Sequence, residues 1–181
     1  GRGVAEGLRA ASIPVSQPTT VFLTSLMPVN TVGLDDLLLT GFRQGRSAPL
    51  RLVGPPGTLA FASALEQAYA EAAEALARQL ALDPDGARIE AREIDEPFRE
   101  EFEAVTVSAS PLQGGPLPAL VWSFQHKAQR VVIAGSSWDP DTIVQFADGA
   151  GLLVHEAVFI PTSEDAANAE VELNLAQLDR E

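Results

Sequence analysis

The hydrophobic period of this chain changes at Asp83-Pro84-Asp85-Gly86, and that change limits the folds open to it. Over residues 58–82 the apolar positions return at helical spacing, with Leu65, Tyr69, Ala72, Leu76 and Leu80 on one stripe and Glu66, Glu71, Glu74 and Arg78 on the other side. A stripe of that kind belongs to an amphipathic helix packed on something. The Asp-Pro-Asp-Gly sequence stops it with turn chemistry. Beyond the turn the chain alternates every second residue over 87–93 and again over 104–109, the pattern of half-buried strands. Residues 119–124 and 130–134 add two more, joined through Gln125-His126-Lys127-Ala128-Gln129 as a hairpin.

Ahead of the long helix, residues 19–24 form a β-rich apolar run that breaks into a loop at Met27-Pro28-Val29-Asn30. A short helix is expected from Asp35 to Thr40, with Gly33 just ahead and Gly41 as its stop. Residues 50–53 are a second strand, closed by Gly54-Pro55-Pro56-Gly57, which neither a helix nor a central strand tolerates. Downstream, the acidic stretch 93–103, with Asp95, Glu96, Glu100 and Glu101, reads as a solvated connection that would repel anions from one rim. Asp139-Pro140-Asp141 is a strong helix start, as a cap followed by a first turn, and Asp148-Gly149 ends that helix. Leu152-Leu153-Val154 is expected as a last buried strand, and residues 163–181 carry a weak helical pattern. Strands with helices between them indicate an α/β or α+β domain, the strands sharing one sheet.

Hydrophobic residues make up 46% of the 181 and charged residues 20%, enough to bury one core, so residues 1–181 are read as a single domain. Twelve Lys and Arg against 25 Asp and Glu give a charge of −13, which leaves no electropositive track for a nucleic-acid backbone. No apolar run approaches the roughly 20 residues of a membrane span, and the first ten residues hold two Arg and a Glu without an apolar signal core. The expectation is a soluble, cytoplasmic protein without membrane contact. With no Cys and two His, thiolate zinc sites and cysteine nucleophiles are excluded and imidazole-rich metal sites have few donors.

Four stretches carry a resemblance. Phe22-Leu23-Thr24-Ser25-Leu26-Met27-Pro28-Val29-Asn30-Thr31-Val32-Gly33-Leu34 resembles the metal-binding loop of the metallo-β-lactamase fold, in the branch containing ribonuclease Z. Leu52-Val53-Gly54-Pro55-Pro56-Gly57-Thr58 is similar to that branch's strand-to-helix turn. Val131-Val132-Ile133-Ala134-Gly135 resembles its strand before the bridging aspartate, and Leu152-Leu153-Val154-His155-Glu156-Ala157 its His-Glu-Ala-Thr segment. The resemblance covers nearly the whole chain in the right order and implies an α/β fold, an αββα sandwich, here expected to lack the family's first strands and its last strand.

The family's metal ligands would fall on Ser25, Met27, Val29, Asn30, Gln113 and Ser136. None of these supplies an imidazole or a carboxylate, and a thioether, a valine and neutral oxygens offer no negative charge to a divalent ion. The expectation is therefore no metal and no cofactor. Ser136 with His155 and Glu156 is the remaining catalytic set: a serine nucleophile would need a base within about 3 Å, and His155 is the candidate. The alternative is a buried, structural His155-Glu156 pair. Ser25, Met27, Asn30, Gln113 and Trp138 are the candidate ligand-binding set, apolar walls with a few neutral hydrogen-bonding groups; a cavity that merely filled in is the other reading. His126 is expected on the surface.

Three functions compete. The first is a metal-free, degenerate member of the fold, natural or engineered, whose remodelled pocket binds a small molecule and supports metal-independent chemistry. The second is the family default, a zinc-dependent hydrolase. The third is a non-catalytic interaction subunit, its unpaired strand edges joined to a second copy of itself or to a complementing chain.

Overall fold

A computed structural model describes residues 1–102, 104–135 and 139–156. Three parallel strands form the first sheet in the order β1 (Thr20–Phe22), β2 (Leu50–Gly54), β3 (Ile89–Glu93). The second sheet runs β4 (Phe98–Phe102), β5 (Val105–Leu112), β6 (Ala119–His126), β7 (Gln129–Ala134), β8 (Leu152–His155), antiparallel except for the β7/β8 pair. The strands therefore make two sheets, as the family resemblance implies and the residue pattern alone did not.

Alternation along the strands builds the layers. In the first sheet Phe22 lies beside Val53 and Val21 beside Leu52. Val21, Leu50 and Leu52 pack with Ala5, Leu34, Leu37, Leu38 and Ala62 from α1 (Val4–Ala10), α3 (Leu34–Arg43) and α4 (Thr58–Leu80). Phe22 and Val53 face the other way, into a layer shared with Val107, Ala109, Leu120 and Trp122 of the second sheet. The outer face of that sheet, through Val121, Val132 and Ala134, is covered by Ile143 and Phe146 of α5 (Pro140–Ala147). Helix, sheet, sheet and helix follow in that order. Among the described residues no helix is long and apolar enough to cross a membrane.

Several local expectations are corrected. Gly41 does not stop α3, which runs on to Arg43. A Cβ there would sit 2.5 Å from Nη1 of Arg46, so the glycine makes room for a buried guanidinium. That guanidinium donates to the Leu38 carbonyl at 2.6 Å and to the Gly86 carbonyl at 3.2 and 3.3 Å. Met27-Pro28-Val29-Asn30 is not an open loop but enters one helical turn, α2 (Pro28–Thr31), with Pro28 in the first turn where its missing N–H is harmless. The acidic stretch contains β4, whose Phe98 and Phe102 turn inward. Of the long-helix stripe, Ala72 and Leu80 are exposed, and burial is confined to the first turns at Thr58 and Ala62. The expected buried strand at Leu152-Leu153-Val154 is, among the described residues, an exposed edge, with Leu152 54% accessible. The β6–β7 hairpin is tighter than expected, with His126 paired to Gln129 and Lys127 at φ 53°. The 163–181 helical pattern lies outside the described residues.

Candidate functional site

Strand direction gathers the candidate residues at one end of the sandwich. β2 is parallel to β1, β8 is parallel to β7, and the start of β6 lies opposite both Ser25 and the end of β7. The chain leaving β1 crosses from the first sheet to the second. Leu23 N donates to Val53 O at 2.8 Å, its carbonyl accepts Trp122 Nε1 at 2.8 Å, and Leu120 N donates to Thr24 O at 2.7 Å.

That crossing puts Ser25 against β6 and buries it, 3% accessible. A buried hydroxyl needs partners. Ser25 Oγ accepts the Asn30 amide Nδ2 at 2.7 Å and the Met27 backbone N at 3.2 Å. Thr31 Oγ1 closes the helical turn on Met27 O at 3.3 Å. Gly135, at the end of β7, fits beneath: a Cβ on it would stand 2.7 Å from Thr24 Oγ1 and 3.5 Å from Asn30 Nδ2. Met27 is half-buried, while Val29 is 53% accessible.

Gln113 follows β5 and is exposed; its backbone N donates to Asp139 Oδ2 at 3.1 Å. Asp139 also caps α5 through Oδ1 to Thr142 N at 3.1 Å, as the Asp-Pro-Asp sequence predicts. Hydrogen bonds from Thr142 and Gln113 hold its carboxyl below the usual carboxylate range. A cavity of about 340 Å³ lies beside this anchor, lined by Pro56, Ile94, Asp95 and residues 111–120. Sequence reasoning missed the loop of that cavity and the second role of Asp139; Gly114-Gly115-Pro116-Leu117-Pro118 between two strands was the available signal.

The structure thus brings Ser25 and Asn30 into direct contact and ties Gln113 to Asp139. His155 ends β8 beside Ala134, at the same end of the sandwich. It is exposed, as is Glu156, so the pair is not the buried one expected. His155 Nδ1 contacts the Glu156 carbonyl oxygen. His126 is exposed, as expected. Ser136 and Trp138 lie outside the described residues.

The family resemblance implies a pair of divalent ions, and the described donors do not fit one. Ser25 Oγ already accepts two hydrogen bonds, the Asn30 amide nitrogen is turned toward Ser25, and Met27, Val29 and Gln113 bring no charge. Among the described residues no three His, Asp or Glu side chains converge.

No family model matches the chain. Ribonuclease Z of Mycobacterium sp. (strain KMS) is 30% identical over 164 residues, 87% of this chain and 56% of the relative. Ribonuclease Z of Mycobacterium bovis BCG is 28% identical over 163 residues, 87% of this chain and 58% of the relative. The metallo-β-lactamase fold protein YhfI from Bacillus subtilis superposes with a TM-score of 0.62 at 16% identity, over 88% of this chain and 57% of that one. Human tRNase Z, short form, gives the same TM-score at 21% identity, over 88% and 65%. The chain has the metallo-β-lactamase fold, and the relatives it resembles in sequence are ribonucleases Z. It spans a little over half the length of the curated relatives, 56–58%. Against that fold, Ser25, Met27, Val29 and Asn30 occupy the loop that follows the first described strand, and α4 is the helix behind the Gly-Pro-Pro-Gly turn.

Proposed function

We propose that this metallo-β-lactamase-fold chain works without metal and binds a small, uncharged molecule in the cavity between Pro56 and residues 111–120. The closed Ser25-Asn30 hydrogen bond carries this reading, because it spends on each other two groups that would have to face a ligand ion. The 340 Å³ cavity supports it: its volume lies at the lower end of the roughly 300–1,000 Å³ of small-molecule sites, and its prolines and leucines alternate with glycines and polar groups. Gln113 and Asp95 are the polar groups at its wall. Ser136, Trp138, His155 and Glu156 remain candidates in the same reading, with His155 as the base for any serine chemistry.

The second reading, a zinc-dependent hydrolase acting on RNA, is favoured by the relatives' names alone. Elemental analysis after dialysis separates the two. Less than one equivalent of zinc or manganese per chain is expected; two tightly held ions together with cleavage of a precursor tRNA would establish the hydrolase instead. Restoring Ser25→His, Met27→His, Val29→Asp, Asn30→His, Gln113→His and Ser136→Asp together should give measurable zinc uptake. A folded six-fold variant that takes up none would show that the α2 turn has reshaped the loop beyond the loss of its donors.

A further inference from the structure

Among the described residues, the inter-sheet layer is open at the opposite end of the sandwich. A crevice of about 730 Å³ lies where β1 begins, walled by Phe22, Phe102, Val105, Val107 and Phe124. Phe22 packs edge-on against Phe102 at 5.3 Å and Phe124 at 5.4 Å between ring centroids, which makes a continuous aromatic wall. Among the described residues, one cation faces it. Arg51 is the neighbour of Thr20 on β1, two residues from Val53, so the pleat directs its side chain between the sheets, where an apolar residue would complete the layer. Its guanidinium lies over the Phe102 ring, 5.3 Å from the centroid.

A second arginine shows what this arrangement lacks. Arg92 on β3 is the neighbour of Val53 and also faces inward; it lies over Phe98 at 5.0 Å, and its charge is met by Glu100 at 2.6 Å. Arg51 repeats the aromatic stacking without the carboxylate. Among the described residues no acidic group stands within ion-pair distance of it. Glu90, its neighbour on β3, does not reach it, and Glu101 at the crevice rim is turned to the outer face, accepting from Thr106 Oγ1 at 2.6 Å. In a chain of charge −13, an arginine without a carboxylate partner among the described residues, at the mouth of a crevice walled on one side by aromatic rings and edged by Gln17, Thr19 and Thr20, is a local inversion of sign.

We propose that this crevice binds a lipophilic monocarboxylate, its chain against Phe22, Phe102 and Phe124 and its carboxylate on Arg51, in the place Glu100 takes on Arg92. The guanidinium fork suits a carboxylate bidentately, and the stacked ring already orients it.

Calorimetric titration of the full chain with octanoate, octanol and octyltrimethylammonium tests this. Octanoate should bind at least about tenfold more tightly than octyltrimethylammonium. Arg51→Gln should weaken octanoate by about the same factor and leave octanol unchanged, while Arg51→Lys should recover part of the loss. Arg51 is exposed, so both variants should keep the wild-type circular dichroism spectrum. No heat with octanoate, equal affinity for the cation, or unchanged octanoate affinity in Arg51→Gln would each overturn the proposal.

Discussion

The two ends of the inter-sheet layer handle polar groups in opposite ways. At the end where β1, β7 and β8 finish, Ser25 bonds Asn30 and Met27, Asp139 bonds Gln113 and Thr142, and each polar group named has a partner within the protein. At the end where β1 starts, Arg51 has an aromatic ring beneath it and no counter-charge among the described residues. The same core, Phe22 against Trp122 at 4.9 Å, connects the two. The comparison teaches where a substitution should change stability and where it should change binding alone. A buried polar group left without its partner costs the fold its full desolvation penalty, whereas changing an exposed, unpaired one costs little.

The largest effect should come from the side chain both ends share. Trp122 is 1% accessible, bonds the Leu23 carbonyl on the loop side and packs on Phe22 and Phe98 on the crevice side. Trp122→Ala should destabilise the fold by about 3–5 kcal/mol, read as a lower urea midpoint. Losing less than about 1 kcal/mol would mean that the two sheets do not share a core there.

Ser25→Ala comes next. It leaves the Asn30 amide and the Met27 N–H without their acceptor in a half-buried loop, an expected loss of about 1–3 kcal/mol in the same measurement. A neutral outcome would mean that water reaches the Ser25 end of the layer and replaces the lost acceptor.

Asp139 adds a pH dependence. Its folded pKa is depressed, so the stability it contributes is present above the ordinary carboxylate value of about 4 and is lost as pH falls through the lower folded value. Wild type should therefore exceed Asp139→Ala in stability at neutral pH, and the two acid-unfolding curves should converge below about pH 4. A gap that persists in strong acid would assign the effect to packing. The smallest effect is at the other end: Arg51→Gln should shift the urea midpoint by no more than about 0.5 kcal/mol equivalent, and a larger loss would give Arg51 a structural role in place of the binding one.

Much of this molecule is legible along the chain, and the misses have specific causes. α5 and its cap follow from Asp139-Pro140-Asp141, and β5 to β7 follow from alternation. β4 was hidden because Phe98-Arg99-Glu100-Glu101-Phe102 presents only two apolar residues; β5 supplies the partner that makes it a strand. Leu152-Leu153-Val154 misled in the other direction. A continuous apolar run reports hydrophobicity, and its burial depends on neighbours that an edge position does not provide.

The sequence by itself determined what depends on a few adjacent residues: the periods, the turns, the Asp139 cap, and the absence of imidazole and carboxylate at Ser25, Met27, Val29, Asn30 and Gln113. Tertiary structure alone decided the partners. Glu93 at the end of β3 caps the first turn of α4 by accepting from Gly57 N and Leu59 N at 2.8 and 3.0 Å, a contact 36 and 34 residues long that no local pattern announces. Arg51 faces the inter-sheet layer, while Leu50 and Leu52 beside it face the helices. Local conformation is set by sterics and hydrogen bonds within a turn or a pleat, so it can be read from neighbours in the chain. A charge's partner, or its lack of one, is set by register across strands and by which sheet lies opposite, and those exist only once the two sheets have packed.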